Sequence, residues 1–221
     1  MEHSESKSKE VMRLETFSDA VFAIAITLLI LEVIATLHTG SRVPLRELIQ
    51  ENWKATLVFL VGFLTILICW INHHLVLSYA EKADTKFFWV NGFVLLVVTF
   101  TPFPTAILAE YLDTEARFAL AIFGLNYFAM SLSAYCFTAY IYAKLAPKGK
   151  SELLYYYKLL YKYSIFFTFL LFFVCFLSVA VAMFFYFLLF IVFAFPKEFA
   201  SRLLNKKHKK SKRSSAKVST N

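Results

Sequence analysis

From Leu14 to Leu37 the chain runs LETFSDAVFAIAITLLILEVIATL, 24 residues without proline or glycine. At a rise of about 1.5 Å per residue this makes roughly 36 Å of helix, enough to cross a hydrocarbon core of roughly 30 Å with some overhang. Comparable apolar runs follow it, and 59% of the residues are hydrophobic and 19% aromatic. Such a chain cannot fold as a water-soluble domain, and it leaves little room for a soluble catalytic one. An all-α integral membrane protein is the expected class, and no enzyme activity is expected.

The first run is not uniformly apolar. At about 100° per residue, Ala20, Ile24, Thr27, Leu28 and Leu31 fall within roughly 60° of one line, and Asp19 lies about 140° from Ile24. One face is therefore aliphatic with a single hydroxyl. The other bears a carboxylate that lipid does not tolerate and that needs a protein or water partner. Periodicity by itself does not separate a packed seam from a pore lining.

Two motifs carry a resemblance. Arg13 followed by Phe17-Ser18-Asp19, continuing AVFAIAITLLILEV, resembles the first-helix signature of the transmembrane protein 175-like potassium channel family. Trp70-Ile71-Asn72-His73-His74 is similar to that family's tryptophan and paired-histidine motif on the second helix. After Thr114 the likeness is one of hydropathy only. The resemblance implies a prokaryote-like subunit with six membrane helices, assembled as a homotetramer with the first helix lining the pore. It also implies a hydrophobic constriction in place of a carbonyl filter loop. Carried over by position, Ile24 is the narrowest ring, Thr27 and Leu28 form the next layer, and Leu31 lies further out. Arg13, Phe17, Ser18, Asp19, Trp70, His73, His74 and Asn91 are implied to form a polar network bracing the pore helix.

In chain order, the first span is followed by HTGSR and by PLRELIQE, a candidate short surface helix with Pro44 at its tolerated first turn. Further spans are expected at about Trp53 to Tyr79, from Phe87, and at about Arg117 to Leu145. The third contains Pro102 and Pro104, which remove backbone donors and should kink or end the regular helix. From Ser164 to Phe195 the chain is apolar for 32 residues, about 48 Å as one helix and too long for an untilted span. Starting at about Leu154 and turning near Ser178 to Met183 gives two spans, and six in all. This divides the chain into an N-terminal segment at 1–13, a six-helix domain at 14–196 and a basic tail at 197–221.

The basic residues orient the bundle. With both termini cytoplasmic, the inner side holds three before the first span, Lys82 and Lys86, five from Lys144 to Lys162, and nine after Pro196. Only Arg42, Arg46, Lys54 and Arg117 of the 23 then lie outside. That asymmetry predicts a multi-pass protein of the cell membrane with both ends inside. The net charge of +8 belongs mainly to the tail, so a topology signal or a contact with anionic lipid explains it without nucleic acid.

Under this topology Arg13, Asp19, His73, His74 and Asn91 share one depth, near the cytoplasmic ends of the first three helices. A structural brace is one reading of that cluster, and a proton-sensitive gate at a histidine is the other. Metal binding by the histidine pair is not expected, because adjacent helical residues diverge by about 100°. Cys69, Cys136 and Cys175 are scattered, which indicates neither disulfides nor zinc. No cofactor is expected. The five glycines never form a close pair and no TVGYG-like segment is present, so a carbonyl cage cannot be built. The function expected is a modestly potassium-selective cation channel. A secondary or proton-coupled carrier is the alternative, although carriers place broken helices and ionisable groups near the midplane.

Overall fold

The computed structural model describes residues 9–37, 44, 46, 47, 50, 53–146 and 152–196. The candidate surface helix at PLRELIQE, the N-terminal segment up to residue 8 and the basic tail lie wholly or mostly outside the described residues.

Among the described residues, seven α-helical segments with given bounds build six membrane traverses. They are α1 (Lys9–Leu37), α2 (Trp53–Leu77), α3 (Thr85–Phe100), α4 (Pro102–Tyr111), α5 (Ala116–Tyr140), α6 (Glu152–Leu177) and α7 (Val179–Ala194). Five traverses are long and apolar enough to cross a bilayer, with α3 and α4 together making one of them. α7 is a shorter apolar helix of 16 residues, about 24 Å long. The protein is a multi-pass membrane protein, and no strand occurs among the described residues.

Contacts between neighbours pair rising with falling residue numbers, so successive spans alternate in direction. Asp19 meets Trp70 and Glu15 meets His74. Phe87 meets Phe137 and Thr101 meets Asn126. Phe128 meets Phe169 and Ser131 meets Ser164, while Tyr161 meets Phe193 and Phe167 meets Phe185. The packed interior falls into two clusters. One joins α1, α2, α3 and the ends of α5 and α6 near Leu145 and Leu154; the other joins the start of α2 and α4 with the opposite ends of α5 and α6 and with α7.

Local chemistry sets the breaks. Pro102 and Pro104 cannot donate backbone hydrogen bonds, so regular bonding lapses at Thr101, whose own backbone stays helical at φ −56°, ψ −37°. Thr101 N shifts to the Val98 carbonyl, which Pro102 leaves without a donor, at 3.1 Å, and the Thr101 hydroxyl donates to the Val97 carbonyl at 3.2 Å; the Thr105 hydroxyl adds a bond of 2.8 Å to the Thr101 carbonyl beside that of its own N–H. The division of the long apolar run falls at Ser178, the one non-helical residue between α6 and α7, with an extended backbone and a side chain that accepts from Val181 N. At the end of α5 the chain widens into a single π-turn, Ile141–Leu145, closed by Ala146 N to the Ile141 carbonyl at 2.9 Å.

Lipid tails are as apolar as leucine, so helices in a bilayer associate through close packing and polar bonds more than through water exclusion. Gly62 illustrates this. A Cβ there would stand 2.9 Å from Thr105 Cγ2 and 3.3 Å from Leu29 Cδ2, so its absence lets α2 approach α1 and α4 together.

Candidate pore helix and its polar brace

The two faces of α1 have different fates. Val11, Leu14, Ser18, Phe22, Ala25 and Leu29 recur at steps of three and four and are buried against the subunit. On the other side Ile24 is 58% exposed, Leu28 40% and Leu31 54%, and Ala20 and Thr27 are exposed with them. A helix with a carboxylate and a serine on one side is thus anchored by that side, and its aliphatic side is left without a partner among the described residues of the subunit.

The anchored side is held by a directional chain of hydrogen bonds. The Ser18 hydroxyl donates to the Leu14 carbonyl at 2.8 Å, and its oxygen accepts from Asn91 Nδ2 at 3.0 Å. Asn91 Oδ1 faces His73 Nε2 at 2.8 Å. A carbonyl oxygen can only accept, so Nε2 carries the proton and the tautomer is set. The three side chains are buried, where such a chain is worth more than at a surface and costs more to interrupt.

Two further bonds tie α1 to α2. Trp70 Nε1 donates to Asp19 Oδ1 at 2.8 Å, supplying the carboxylate with the donor its position demands. His74 Nδ1 lies 3.3 Å from Glu15 Oε1. The adjacent histidines therefore diverge, His73 inward to Asn91 and His74 to Glu15, and they do not share a ligand. Among the described residues no three or more His, Cys, Asp or Glu side chains gather as a metal site would require.

Aromatic rings pack around the buried histidine. His73 lies between Phe137, stacked at 4.6 Å, and Phe22, at 5.3 Å. The stack continues from Phe137 to Phe87 at 5.4 Å and from Phe87 to Tyr140 at 6.0 Å. Tyr140 donates its hydroxyl to Asp84, whose Oδ1 also accepts from Phe87 N at 2.8 Å and caps α3. These bonds, the phenol first, hold the Asp84 carboxyl below its ordinary value.

The structure brings together Ser18, Asp19, Trp70, His73, His74 and Asn91. It leaves Arg13 and Phe17 apart: both are exposed, Phe17 to 61%, and each lies about 20° from the Ile24 line. They share the depth of the brace and not its side of the helix. Sequence reasoning missed Glu15, Phe22, Phe137 and the Asp84–Tyr140 pair. Of these only Asp84 had a signal, as an acidic residue three positions before Phe87 at the start of an apolar run.

A sequence profile described as endosomal/lysosomal potassium channel TMEM175 matches residues 13–102, the stretch that holds every residue of the brace and of the aliphatic face. The crystal structure of a lysosomal potassium-selective channel TMEM175 homologue from Chamaesiphon minutus superposes with a TM-score of 0.71 at 32% identity, covering 85% of this chain and 97% of that one. The chain belongs to the TMEM175 family. Within the family it is 43% identical over 128 residues to a potassium channel of Chamaesiphon minutus, a match covering 57% of this chain and 63% of the relative. It is also 43% identical over 123 residues to a potassium channel of Streptomyces collinus, covering 55% and 59%. The chain thus spans about three fifths of the length of these curated relatives. Its all-helical, six-traverse architecture is that of the TMEM175 homologue superposed on it.

Proposed function

We propose that the chain is a subunit of a potassium-conducting channel, and that four copies place α1 around a central pore. The observation that carries this reading is the unpartnered aliphatic face of α1 opposite a face tied down by Asp19, Ser18 and their partners. A helix in lipid has no reason to be fastened so specifically unless its other side must be aimed. Relatives named as potassium channels support the same activity. The positive-inside count supports an orientation with both ends of the helix bundle at the cytoplasm.

In this reading Ile24 forms the narrowest ring, Thr27 and Leu28 the next, and Leu31 a wider one. Isoleucine offers no ligand to an ion, so a tight ring dewets and blocks, and a wider one passes a cation that keeps part of its water. Thr27 donates its proton to the Ile24 carbonyl at 2.9 Å, so only lone pairs remain for the lumen. A ring of neutral acceptors repays little of the cost of stripping an ion. Potassium sheds water more readily than sodium, and the preference is modest.

The test is current through the purified chain in planar bilayers. Discrete conductance steps with a reversal potential favouring potassium are expected; a slow stoichiometric flux would indicate a carrier. Ile24→Asn should raise basal current and weaken selectivity by hydrating the constriction. Thr27→Val should lower the potassium preference with assembly intact. Unchanged currents and reversal potentials in both variants would remove this face from the conduction path.

A further inference from the structure

At the start of α6 an ammonium is laid on two aromatic rings. Lys158 is half-buried, with Nζ 4.1 Å from the ring centre of Tyr142 and 5.3 Å from that of Tyr155; the two rings lie 5.9 Å apart. Ring faces attract an ammonium but take up none of its three N–H donors in a strong bond. Four residues on stands the exposed Lys162, and two like charges at that spacing on a helix repel. Among the described residues neither lysine makes an ion pair or a hydrogen bond. Residues 116–145, which hold α5 and its π-turn, contain no Asp or Glu, and α6 has only Glu152, about 120° around the helix from Lys158. What the pair lacks is an anion.

The rest of the same face shows which anion fits. Tyr155, Lys158, Lys162, Phe166, Phe169 and Phe173 lie within about 40° of one line along α6. Phe166 is 70% exposed, Phe169 51% and Phe173 50%. Along that line the tyrosine and the ammoniums come first, and bare phenylalanine follows over about 16 Å from Lys162 to Phe173. This is the order of a phospholipid from headgroup to acyl chain, with tyrosine at the level where amphipathic rings settle. Lysine side chains on a helix lean toward its N-terminus, so both ammoniums reach the headgroup layer on the side where α6 begins. A soluble phosphate would use the lysines and leave the phenylalanines unexplained. Since α6 packs chiefly on α5 and α7, the strip lies apart from the aliphatic face of α1.

We propose that this strip binds one anionic phospholipid, with its phosphate held by Lys158 and Lys162 and an acyl chain laid along Phe166, Phe169 and Phe173. The leaflet is the one beside the connection from α5 to α6, which is the cytoplasmic leaflet in the orientation proposed above; the site does not depend on that orientation. Tyr142 and Tyr155 hold the Lys158 ammonium in place, and a lysine that serves only as a topology signal needs no such seat.

Native mass spectrometry of the purified full-length chain, titrated with phosphatidylglycerol and with phosphatidylcholine of the same acyl length, tests the site. Phosphatidylglycerol is expected to bind about tenfold more tightly, from two lysines at the headgroup layer. Lys158→Gln combined with Lys162→Gln should bring the two lipids level. Lys82→Gln combined with Lys86→Gln should leave the preference in place, although these lysines lie on the same side of the bundle, where Glu81 N meets the Leu145 carbonyl at 3.3 Å. Equal binding of the two lipids by the parent chain would overturn the proposal. So would an equal loss in both double variants, since diffuse charge would then account for the preference, and so would displacement of the lipid by inorganic phosphate. A second copy of the chain is the remaining occupant, and Phe166→Cys in a chain whose native cysteines are alanine tests for it. No disulfide between copies is expected, and efficient crosslinking would overturn the proposal by burying the strip in a subunit interface.

Discussion

The first three helices and the last two solve the same packing problem with different chemistry. Between α1, α2 and α3 the decisive contacts are directional: Trp70 to Asp19, Asn91 to Ser18, His73 to Asn91. Between α6 and α7 they are ring against ring, Tyr161 on Phe193 and Phe167 on Phe185, with one long contact of 3.9 Å between Cys175 Sγ and the Tyr186 hydroxyl. Apolar packing in lipid tolerates sliding, because the competing solvent is equally apolar. A hydrogen bond between buried groups does not, because a shift of one residue turns the donor away from its acceptor. Polar bonds fix the azimuth of α1, and aromatic packing joins α6 to α7. The matched family profile, residues 13–102, stops short of the aromatic pair.

If that contrast is right, the costliest single change lies in the brace. Asn91→Leu leaves the His73 N–H without an acceptor and takes a donor from Ser18, a loss of about 3 kcal/mol for two disrupted buried bonds. Phe167→Leu between α6 and α7 conserves most of the buried volume and should cost under about 1.5 kcal/mol. Thermal denaturation of both variants in the same detergent measures the gap, and equal losses would erase the distinction between the two regions.

The aromatic region is also expected to have one point of high sensitivity, at Gly124. A Cβ there would lie 2.0 Å from the Tyr186 hydroxyl and 2.9 Å from its Cζ, and Tyr186 is buried against Tyr127 at 5.5 Å. Gly124→Ala should therefore cost about 2 kcal/mol through overpacking. Adding Tyr186→Phe removes the nearer clash and should recover part of the loss, so a double-mutant cycle with no coupling would show that the ring simply moves aside.

The smallest effect belongs at the surface end of the stack. Asp84 is held ionised by Tyr140 and by the Phe87 amide, which lowers its pKa. A carboxyl depressed on folding contributes stability above its unfolded value near 4 and loses it as pH falls through the folded value. Asp84→Asn should therefore be less stable than the parent at neutral pH, with the difference shrinking below about pH 4. A melting-temperature difference that stays constant across that range would remove the carboxylate's charge from the account.

How much of this was legible depended on the kind of signal. Apolar run lengths placed the spans, and the excess length of 164–195 required a break that the structure puts at Ser178, the residue able to cap a new helix. Helical angles turned Asp19 away from Ile24, and alternating directions put Asp19, Trp70, His73 and Asn91 at one depth. The same arithmetic would have separated Arg13 and Phe17 from that group, but motif membership outweighed it. Phe22 and Phe137 could not be singled out, since the chain holds 26 phenylalanines and ring stacking has no spacing rule across helices.

The central claim is that α1 presents one face to ions and the other to its own subunit. Cysteine placed singly at Ile24, Leu28 and Leu31, and at Phe22, Ala25 and Leu29 as the opposing set, tests it with a charged thiol reagent applied during current recording. The native Cys69, Cys136 and Cys175 are first replaced by alanine. The account predicts that modification changes the current at the first three positions and leaves it unaltered at the last three. Block at Phe22, Ala25 or Leu29, with 24, 28 and 31 insensitive, would place the pore on the other side of the helix and contradict it.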